Sequence, residues 1–279
     1  MALTPDASLL TGKVAVVTGG GGGIGRGISE AFAAHGARVV VVDIDGERAR
    51  DTVDAIRSRD GDAGARAEVV DVREPEQVTA LRRSVLDEHG RIDVLVNNVG
   101  HYLYRGLRFL DSDEEHWDAL YAVNLRHVFL CTKAFAPSMV ERQSGNVITV
   151  STVEAFRGIP DQVVYSAFKA GITQFTKSLA LDLGNDGVRV NAIAPDLTET
   201  IQVPYSRWVA PEHRDLIPSW VPVGRFGTPD DIAGVAVFLA SDLSAFVTGT
   251  TVHADGGSLA AGGWYRTRRG GWTNRPLEP

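Results

Sequence analysis

Short apolar runs, rich in valine, alternate along this chain with longer segments in which apolar positions recur at helical spacing. Continuous apolar runs of this kind are typical of strands that are buried on both faces of a parallel sheet, and the longer segments can form crossover helices. The runs are Val14–Val17, Val39–Val42, Glu68–Val70, Val94–Val96, Val147–Val150 and Val188–Ile193, and the segments include Gly46–Arg59, Pro75–Glu88, Glu114–Arg142 and Val163–Leu183. The alternation predicts an α/β fold with a doubly wound parallel sheet, as in the Rossmann fold.

The length of 279 residues allows one large domain or two small ones. No linker rich in proline or serine interrupts residues 13–257, so we predict one domain over this range, preceded by an extension at residues 1–12. From Ser258 onward the chain is rich in glycine and arginine and shows neither a helix nor a strand period. We therefore predict that residues 258–279 form a C-terminal tail.

Composition and charge narrow the possible partners and location. The formal net charge of -7 gives no field that would attract nucleic acid or an anionic membrane. No apolar run approaches the roughly 20 residues of a membrane span, and the N-terminus has no basic region of a signal peptide. The single cysteine, Cys131, fits a reducing compartment and a place in the core. We expect a cytoplasmic protein without nucleic-acid or membrane partners.

Five consecutive glycines, Gly19–Gly23, directly follow the first predicted strand and lead into a helix that also contains Gly25. A pyrophosphate site needs glycines because the backbone must approach the ligand closely, with the charge resting on amides at a helix N-terminus. A flexible loop is the alternative, but the position between a buried strand and a helix favours phosphate binding.

Asp43 ends the second predicted strand and is followed by Ile44. In dinucleotide-binding folds, the acid that accepts hydrogen bonds from the ribose hydroxyls lies about 20 residues after the glycines. Asp43 is close to that position. A carboxylate there repels a 2'-phosphate, and no basic residue stands beside it at Gly20 or Ile44 to offset this. The pattern predicts NAD rather than NADP, unless Asp43 is only a solvated residue that starts a turn.

Tyr165 and Lys169 are four positions apart in a predicted helix and so share one face. A free tyrosine titrates near pH 10, which is too high for a base at neutral pH, but a nearby cation lowers that pKa. The pair therefore predicts a tyrosine that acts as general acid and base, although a single short motif can occur by chance.

From Lys13 to Gly257 the chain resembles the classical short-chain dehydrogenases/reductases. The motifs that carry the resemblance follow the family order: Thr18-Gly19-x-x-x-Gly23-Ile24-Gly25, Asp71-Val72, Asn97-Asn98-Val99-Gly100, Asn124, Tyr165-x-x-x-Lys169 and Asn191 to Pro195. Two positions depart from the family pattern. Val99 stands where the family usually has alanine, and Asp196 replaces a glycine, which puts the local backbone geometry in question.

The resemblance implies a role for each catalytic residue. Tyr165 exchanges a proton with the substrate oxygen, Lys169 lowers the tyrosine pKa and bonds the nicotinamide ribose, and Asn124 holds a water of a proton relay. Thr152 stands where the family usually has a substrate-orienting serine, with Ser151 as second choice. The implied cofactor contacts are Gly19, Gly23, Ile24, Gly25, Asp43, Ile44, Asp71, Val72, Asn97, Gly100, Tyr165, Lys169, Pro195, Thr198 and Thr200. No His or Cys spacing resembles a metal site, and we predict no metal.

In this family the loops after the fourth, fifth and sixth strands form the substrate pocket, here His101–Leu110, Val153–Gln162 and Leu197–Trp220. They supply a largely apolar and aromatic set: Tyr102, Leu103, Tyr104, Phe156, Ile159, Tyr205, Trp208 and Trp220. Such a lining favours an apolar, cyclic or acyl secondary alcohol over a small polar sugar. Each of these residues has an alternative role in a lid or a subunit interface.

Together these features predict an NAD-dependent oxidoreductase of a secondary alcohol or ketone. One alternative is a 3-oxoacyl-thioester reductase, although such reductases commonly use NADPH, against which Asp43 argues. The other is a nucleotide-binding regulatory protein without catalysis, because a fold does not fix a function. The set of Asn124, Thr152, Tyr165 and Lys169 favours an enzyme.

The resemblance also implies a homotetramer. One interface would use the predicted helices Glu114–Arg142 and Val163–Leu183, and the other would use Asp230–Leu239 with the last strand. The tail carries Trp264, Tyr265 and Trp272 beside several arginines, residue types that are enriched at interfaces. We predict that the tail lies over a neighbouring subunit; a mobile end with incidental aromatic residues is the alternative.

Overall fold

The computed structural model describes residues 4–61, 64–103, 107–262, 265–266 and 272–273. Its main sheet is built from strands β1 Val14–Thr18, β2 Arg38–Asp43, β3 Arg66–Val69, β4 Val94–Asn97, β5 Gly145–Val150, β6 Val188–Pro195 and β7 Thr251–Ala254. All seven strands are parallel, in the order β3-β2-β1-β4-β5-β6-β7. The predicted doubly wound parallel sheet is confirmed.

Ten helices connect or flank these strands within the described residues. They are α1 Gly23–Ala34, α2 Gly46–Asp60, α3 Pro75–His89, α4 Glu114–Tyr121, α5 His127–Glu141, α6 Val163–Leu183, α7 Tyr205–Trp208, α8 Ile217–Trp220, α9 Pro229–Ala240 and α10 Ser258–Ala261. Their ends follow local chemistry: the Asp45 side chain accepts hydrogen bonds from the first amides of α2, and Gly90 in the left-handed region ends α3.

The core consists of two apolar layers, one on each face of the sheet. Helices α1, α2 and α9 cover one face, where Ile28, Phe32 and Ile56 are fully buried against β1 and β2. Helices α3, α5 and α6 cover the other face, which contains Phe135, Met139 and the predicted core thiol Cys131. Burial raises the pKa of that thiol to about 12, so Cys131 is an unreactive packing residue.

Two predicted segments differ from the structure. The helix predicted over Glu114–Arg142 is divided, because residues Ala122–Arg126 form a π-helical turn between α4 and α5. The tail does contain regular structure: α10 begins at Ser258, and two short strands, β8 Tyr265–Arg266 and β9 Trp272–Thr273, pair antiparallel. Strand β8 lies beside α8. Short elements of this size carry no detectable sequence period. Tyr104 and Trp264 lie outside the described residues.

The order of the strands places a binding crevice. The strand order reverses between β1 and β4: successive strands are added on one side from β1 to β3 and on the other side from β4 to β7. In such sheets the binding crevice forms at this point of reversal, beyond the carboxyl ends of the strands. Among the described helices, none is both long enough and apolar enough to cross a membrane.

Candidate active site

A cleft of about 920 Å³ opens at the carboxyl ends of the strands, as the strand order requires. Most of the predicted cofactor and catalytic residues line it: Gly19, Gly23, Ile24, Asp43, Ile44, Asp71, Val72, Gly100, Thr152, Tyr165, Lys169, Pro195, Thr198 and Thr200. Gly25, Asn97 and Asn124 do not line it. The cleft thus has a cofactor end at β1 and β2 and a substrate end at the loops that follow β4, β5 and β6.

The glycine loop has the geometry of a phosphate cradle. Gly19 and Gly23 adopt φ values of 63° and 51°, in the left-handed region that side chains disfavour. A Cβ atom on Gly25 would overlap the carbonyl oxygen of Gly19, so this glycine serves close packing of α1 beneath the loop. Gly22 caps α1 without a side-chain hydrogen bond, which leaves the first amides of the helix facing the cleft. These residues fit a pyrophosphate.

Asp43 is fixed in place by the backbone. Its Oδ2 accepts a hydrogen bond from the Gly21 amide at 2.9 Å, and its Oδ1 accepts one from the Asp45 amide at 3.0 Å. Ile44 beside it is 61% exposed and offers an apolar surface to a flat ring. A carboxylate has about four acceptor positions, so Asp43 keeps capacity for ribose hydroxyls.

The cofactor end contains a basic residue that was not predicted, because it is not adjacent to Asp43 or to the glycine loop in the sequence. Arg48, on the first turn of α2, also lines the cleft. Its Nε lies 3.2 Å from Oδ2 of Asp45, so its charge is partly neutralised by that side chain. The spacing of Asp45 and Arg48 was visible in the sequence, but not which way the arginine points.

The predicted adenine-side pair occupies the wall after β3. Arg73 donates to both carboxylate oxygens of Asp71, with 2.6 Å between Nη2 and Oδ2, and this hydrogen bond lowers the pKa of Asp71. Val72 is 3% exposed and contributes apolar wall. The Asp71 carboxylate is therefore occupied by Arg73, which the sequence reasoning did not foresee.

Tyr165 and Thr152 meet at the substrate end. Burial raises the pKa of the Tyr165 phenol above its ordinary value, and the charge of Glu154 adds to this, while a hydrogen bond with Thr152 opposes it. The Lys169 Nζ lies over the phenol ring, 5.8 Å from its centroid, and the predicted lowering of this pKa by the ammonium stays a prediction.

The hydroxyl groups of Ser151 and Thr152 differ in their hydrogen bonds. The Ser151 hydroxyl donates to the carbonyl of Lys169 at 3.1 Å and is thereby committed to α6. The Thr152 hydroxyl accepts from the Glu154 amide at 3.3 Å, lies 3.5 Å from the Pro195 carbonyl, a long hydrogen bond, and interacts with Tyr165. The geometry favours Thr152 as the hydroxyl beside the phenol.

Lys169 is buried under the cleft floor, with its Nζ donating to the carbonyl of Val150 at 3.2 Å. Burial lowers the pKa of its ammonium group to about 8. A Cβ atom on Gly100 would lie 2.7 Å from this Nζ, so the glycine gives the lysine its access to the cleft. Lys169 can donate one hydrogen bond to the protein and others to a ligand.

Asn124 is fully buried in the π-helical turn and holds the loop after β4. Its Oδ1 accepts from the His101 amide at 3.1 Å, while its Nδ2 donates to the carbonyls of His101 at 2.8 Å and Leu120 at 3.1 Å. The side chain is thus engaged with the backbone. Turns of this kind are frequent at functional sites.

The predicted contact Asn97 points away from the cleft, where its Nδ2 donates to the Thr132 hydroxyl of α5 at 3.2 Å. Its neighbour Asn98, on the opposite side of the strand, lines the cleft and donates to the carbonyls of Thr18 and Gly19. Alternation along the strand end explains the difference, since successive side chains face opposite ways.

The loop after β6 carries its unusual backbone one residue later than expected. Leu197, not Asp196, adopts a positive φ of 41°. Asp196 stabilises this turn because its Oδ1 accepts from the Leu197 amide at 2.9 Å. Thr200, further along, is tied to Val203 by a hydrogen bond at 3.0 Å and faces Gly23 across the cleft.

The substrate end is more polar than the sequence suggested. Tyr102, Leu103, Ile159 and Tyr205 line it as expected. His101, Glu154, Gln162 and Gln202 also line it; they belong to the predicted pocket loops but not to the apolar set named from the sequence. Phe156 instead packs against His253 with 4.6 Å between ring centroids, and Trp220 does not line the cleft. The Trp208 side chain is outside the described part of the structure. Polar residues in irregular loops give no periodic signal that sequence reasoning can use.

His127 is a further residue that the sequence reasoning missed. It is fully buried at the start of α5, and neither ring nitrogen has a hydrogen bond of good geometry, although the carbonyls of Val99 and Val123 lie near enough to raise its pKa. Burial and the Lys169 charge outweigh them and lower the pKa to about 3, so the imidazole is neutral. No group of three or more metal-binding side chains occurs among the described residues.

Comparisons with known proteins agree with this geometry. A family model described as enoyl-(acyl carrier protein) reductase matches residues 19–258. The 3-oxoacyl-(acyl-carrier-protein) reductase FabG of Thermotoga maritima is 38% identical over 248 residues, which cover 89% of this chain and 98% of that protein. Subunit BbsD of the (2S)-((R)-hydroxy(phenyl)methyl)succinyl-CoA dehydrogenase of Thauera aromatica is 39% identical over 253 residues, covering 90% and 98%.

Among solved structures, a 7α-hydroxysteroid dehydrogenase complexed with NADH and 7-oxo glycochenodeoxycholic acid matches with a TM-score of 0.84 and 31% identity, over 92% of this chain and 98% of that one. The chain belongs to the short-chain dehydrogenase/reductase family. It is accordingly an oxidoreductase that uses a nicotinamide cofactor and acts on small-molecule substrates.

Proposed function

We propose that this protein is an NAD-dependent oxidoreductase that interconverts a secondary alcohol and its ketone, with Tyr165 as general acid and base. The observation that carries the proposal is the convergence of Thr152, Tyr165 and Lys169 at one end of a cleft whose other end holds the glycine loop and Asp43. NAD supplies the acceptor for the hydride when it is bound. Each residue then has a separate task.

In oxidation Tyr165 acts as the phenolate and takes the hydroxyl proton of the alcohol, and in reduction its phenol returns that proton to the ketone oxygen. Thr152 donates a hydrogen bond that orients the same oxygen. Lys169 stabilises the phenolate that forms, because its ammonium lies beneath the ring and its remaining donors face the cleft. Asn124 holds the loop after β4 through the His101 backbone and thereby positions Gly100 over Lys169.

NAD rather than NADP is proposed because the Asp43 carboxylate repels a 2'-phosphate, and because Arg48, a cation that lines this end of the cleft, is paired with Asp45. The solved relative that was complexed with NADH is consistent with this choice. Assays of secondary alcohols with NAD and NADP, followed through the absorbance of the reduced cofactor, test the proposal. Turnover with neither cofactor on a broad panel of alcohols and ketones would refute it.

Reduction of a 3-oxoacyl thioester is a second candidate, favoured by the similarity to the 3-oxoacyl-(acyl-carrier-protein) reductase of Thermotoga maritima. The apolar residues Leu103, Ile159 and Val203 along the cleft suit an acyl chain. Acetoacetyl-CoA with NADH and with NADPH separates the two candidates. A kcat/KM for the thioester far above that of every simple ketone would favour the second.

We also propose that the protein assembles as a homotetramer through α4 to α6 and through α9 with β7. Leu181 on α6 is 84% exposed and Phe246 before β7 is fully exposed, as expected of residues that a partner covers. Deletion of residues 262–279 tests whether the tail takes part. We expect the deletion to change at least one of three quantities: the mass measured by light scattering, the melting temperature or the Michaelis constant. If all three stay the same, the tail lies over no neighbour.

A further inference from the structure

Glu154 stands on the same wall of the cleft as the proposed catalytic pair. It lies two residues after Thr152 in a short 3₁₀ turn, Val153–Ala155, and its amide donates to the Thr152 hydroxyl at 3.3 Å. Its side chain is only 15% exposed, and that exposure is toward the cleft that Tyr165 also lines. A substrate held by Thr152 and Tyr165 therefore meets this carboxylate.

The hydrogen bonds of Glu154 leave acceptor positions open. Arg157 donates to Oε1 at 2.9 Å and to Oε2 at 3.3 Å, whereas a carboxylate has about four acceptor positions. Asp196, the other carboxylate of this wall, differs. It accepts from Arg157 at 2.8 Å, from Ser258 at 2.5 Å and from Leu197 at 2.9 Å, and so it is largely satisfied by the protein.

This difference sets a requirement on the substrate. A substrate that enters the cleft displaces water from Glu154, and a carboxylate that loses hydrogen bonds without replacement disfavours binding. An anionic group is excluded because two carboxylates share one guanidinium here. A cationic group would also meet the carboxylate, and comparison of an amino alcohol with a diol distinguishes it from a neutral donor. A hydroxyl group supplies the hydrogen bond without the cost of removing a second charge from water.

We propose that Glu154 accepts a hydrogen bond from a second hydroxyl group of the substrate, so that the enzyme selects secondary alcohols that carry a hydroxyl close to the reacting carbinol. The proposal rests on the proposed function and narrows its substrate class. Glu154 determines specificity here and takes no part in proton transfer. A site built around such an acceptor discriminates strongly against an analogue that lacks the donor.

Cyclohexanol and the cis and trans isomers of cyclohexane-1,2-diol test the proposal as a matched set. In the wild-type protein we expect kcat/KM with NAD to be about 10-fold to 150-fold higher for the better diol than for cyclohexanol, the range of a hydrogen bond to a charged group. Glu154→Leu should remove this preference, measured as the ratio of kcat/KM for the diol to kcat/KM for cyclohexanol within each variant, while Glu154→Gln should keep part of it. Glu76→Gln, on the exposed side of α3, is the charge-matched control.

Equal kcat/KM for diol and cyclohexanol in the wild type, or an equal loss for both in Glu154→Leu, would overturn the proposal. So would a preference for trans-2-aminocyclohexanol over the diol, which would indicate an ammonium site. If no alcohol is turned over, calorimetry compares the Kd of 2-hydroxycyclohexanone with that of cyclohexanone for the NADH-bound protein. Tighter binding of the hydroxyketone that Glu154→Leu abolishes upholds the role of Glu154 even if the oxidoreductase proposal fails; equal binding overturns it.

Discussion

The cofactor end of the cleft is formed by backbone, whereas the substrate end is formed by side chains that link irregular loops. At the first end, glycine geometry and the strand ends β1 and β2 fix the loop, and Asp43 is held by two backbone amides. At the second, Arg157 joins Glu154 to Asp196, and Asp196 joins Ser258 at the start of α10.

Backbone strain is also distributed unequally between the two ends. Three of the four described non-glycine residues with positive φ belong to the substrate loops, namely Leu103, Asp161 and Leu197. Such conformations cost about 1 to 3 kcal/mol each and persist only where the surroundings impose them. The cofactor end of the cleft therefore depends on backbone geometry, whereas the substrate end depends on contacts between side chains of different loops.

The largest effect is expected from removal of the Tyr165 hydroxyl, which should impair turnover but not cofactor binding. Tyr165→Phe keeps the ring but removes the phenol, so turnover should fall by about 10²-fold to 10⁴-fold while the Kd for NAD stays within a few-fold. Steady-state kinetics and cofactor titration measure the two. Tyr121→Phe, whose ring packs on Phe168, is the control. Turnover of Tyr165→Phe within a few-fold of wild type contradicts the assignment.

The next effect is confined to the cofactor end. Asp43→Ala should lower the ratio of kcat/KM with NAD to kcat/KM with NADP by about 10-fold to 150-fold. The substitution removes both the acceptor for the ribose hydroxyls and the repulsion of the 2'-phosphate. The KM for the alcohol should not change. Adding Arg48→Ala tests whether that cation holds the phosphate in the variant. A wild-type protein that uses both cofactors equally would show that Asp43 does not select between them.

A pair of glycine substitutions compares the two ends by stability. Gly25→Ala places a Cβ against the Gly19 carbonyl and should destabilise the fold by about 1 to 3 kcal/mol, or several degrees of melting temperature. Gly158→Ala, in the exposed substrate loop with nothing within 4 Å, should stay within about 0.5 kcal/mol. Equal melting temperatures for the two variants would contradict the description of a tightly packed glycine loop.

Lys169 joins the two ends, and its titration gives the smallest effect. Since burial lowers its pKa to about 8, the ammonium is present below that pH and is lost as the pH rises through it. The affinity for NAD should therefore weaken above about pH 8, by roughly 5-fold to 10-fold. Lys169→Met should bind weakly at every pH, and the exposed Lys177→Met should retain the wild-type profile. A wild-type profile that is flat from pH 7 to 10 contradicts this role.

More of the residues that line the cofactor end than of those that line the substrate end could be predicted from the sequence, for a physical reason. The glycines, Asp43 and the pair Tyr165 and Lys169 stand at fixed spacings on regular elements, and the strand and helix periods locate them. Arg48 was missed because spacing does not show the direction of a long side chain. Glu154 and the turn at Leu197 were missed because they depend on contacts between loops distant in sequence.

The central claim is that hydride leaves the carbinol carbon of an alcohol for NAD while Tyr165 takes the hydroxyl proton. It is tested most directly with a secondary alcohol that carries deuterium on the carbinol carbon, followed by mass spectrometry of the reduced cofactor. We expect the deuterium in the NADH formed by the wild-type protein, and formation of labelled NADH by Tyr165→Phe that is slower by about 10²-fold to 10⁴-fold. Reduced cofactor without deuterium, or labelled NADH formed by Tyr165→Phe at a rate within a few-fold of wild type, would contradict the account.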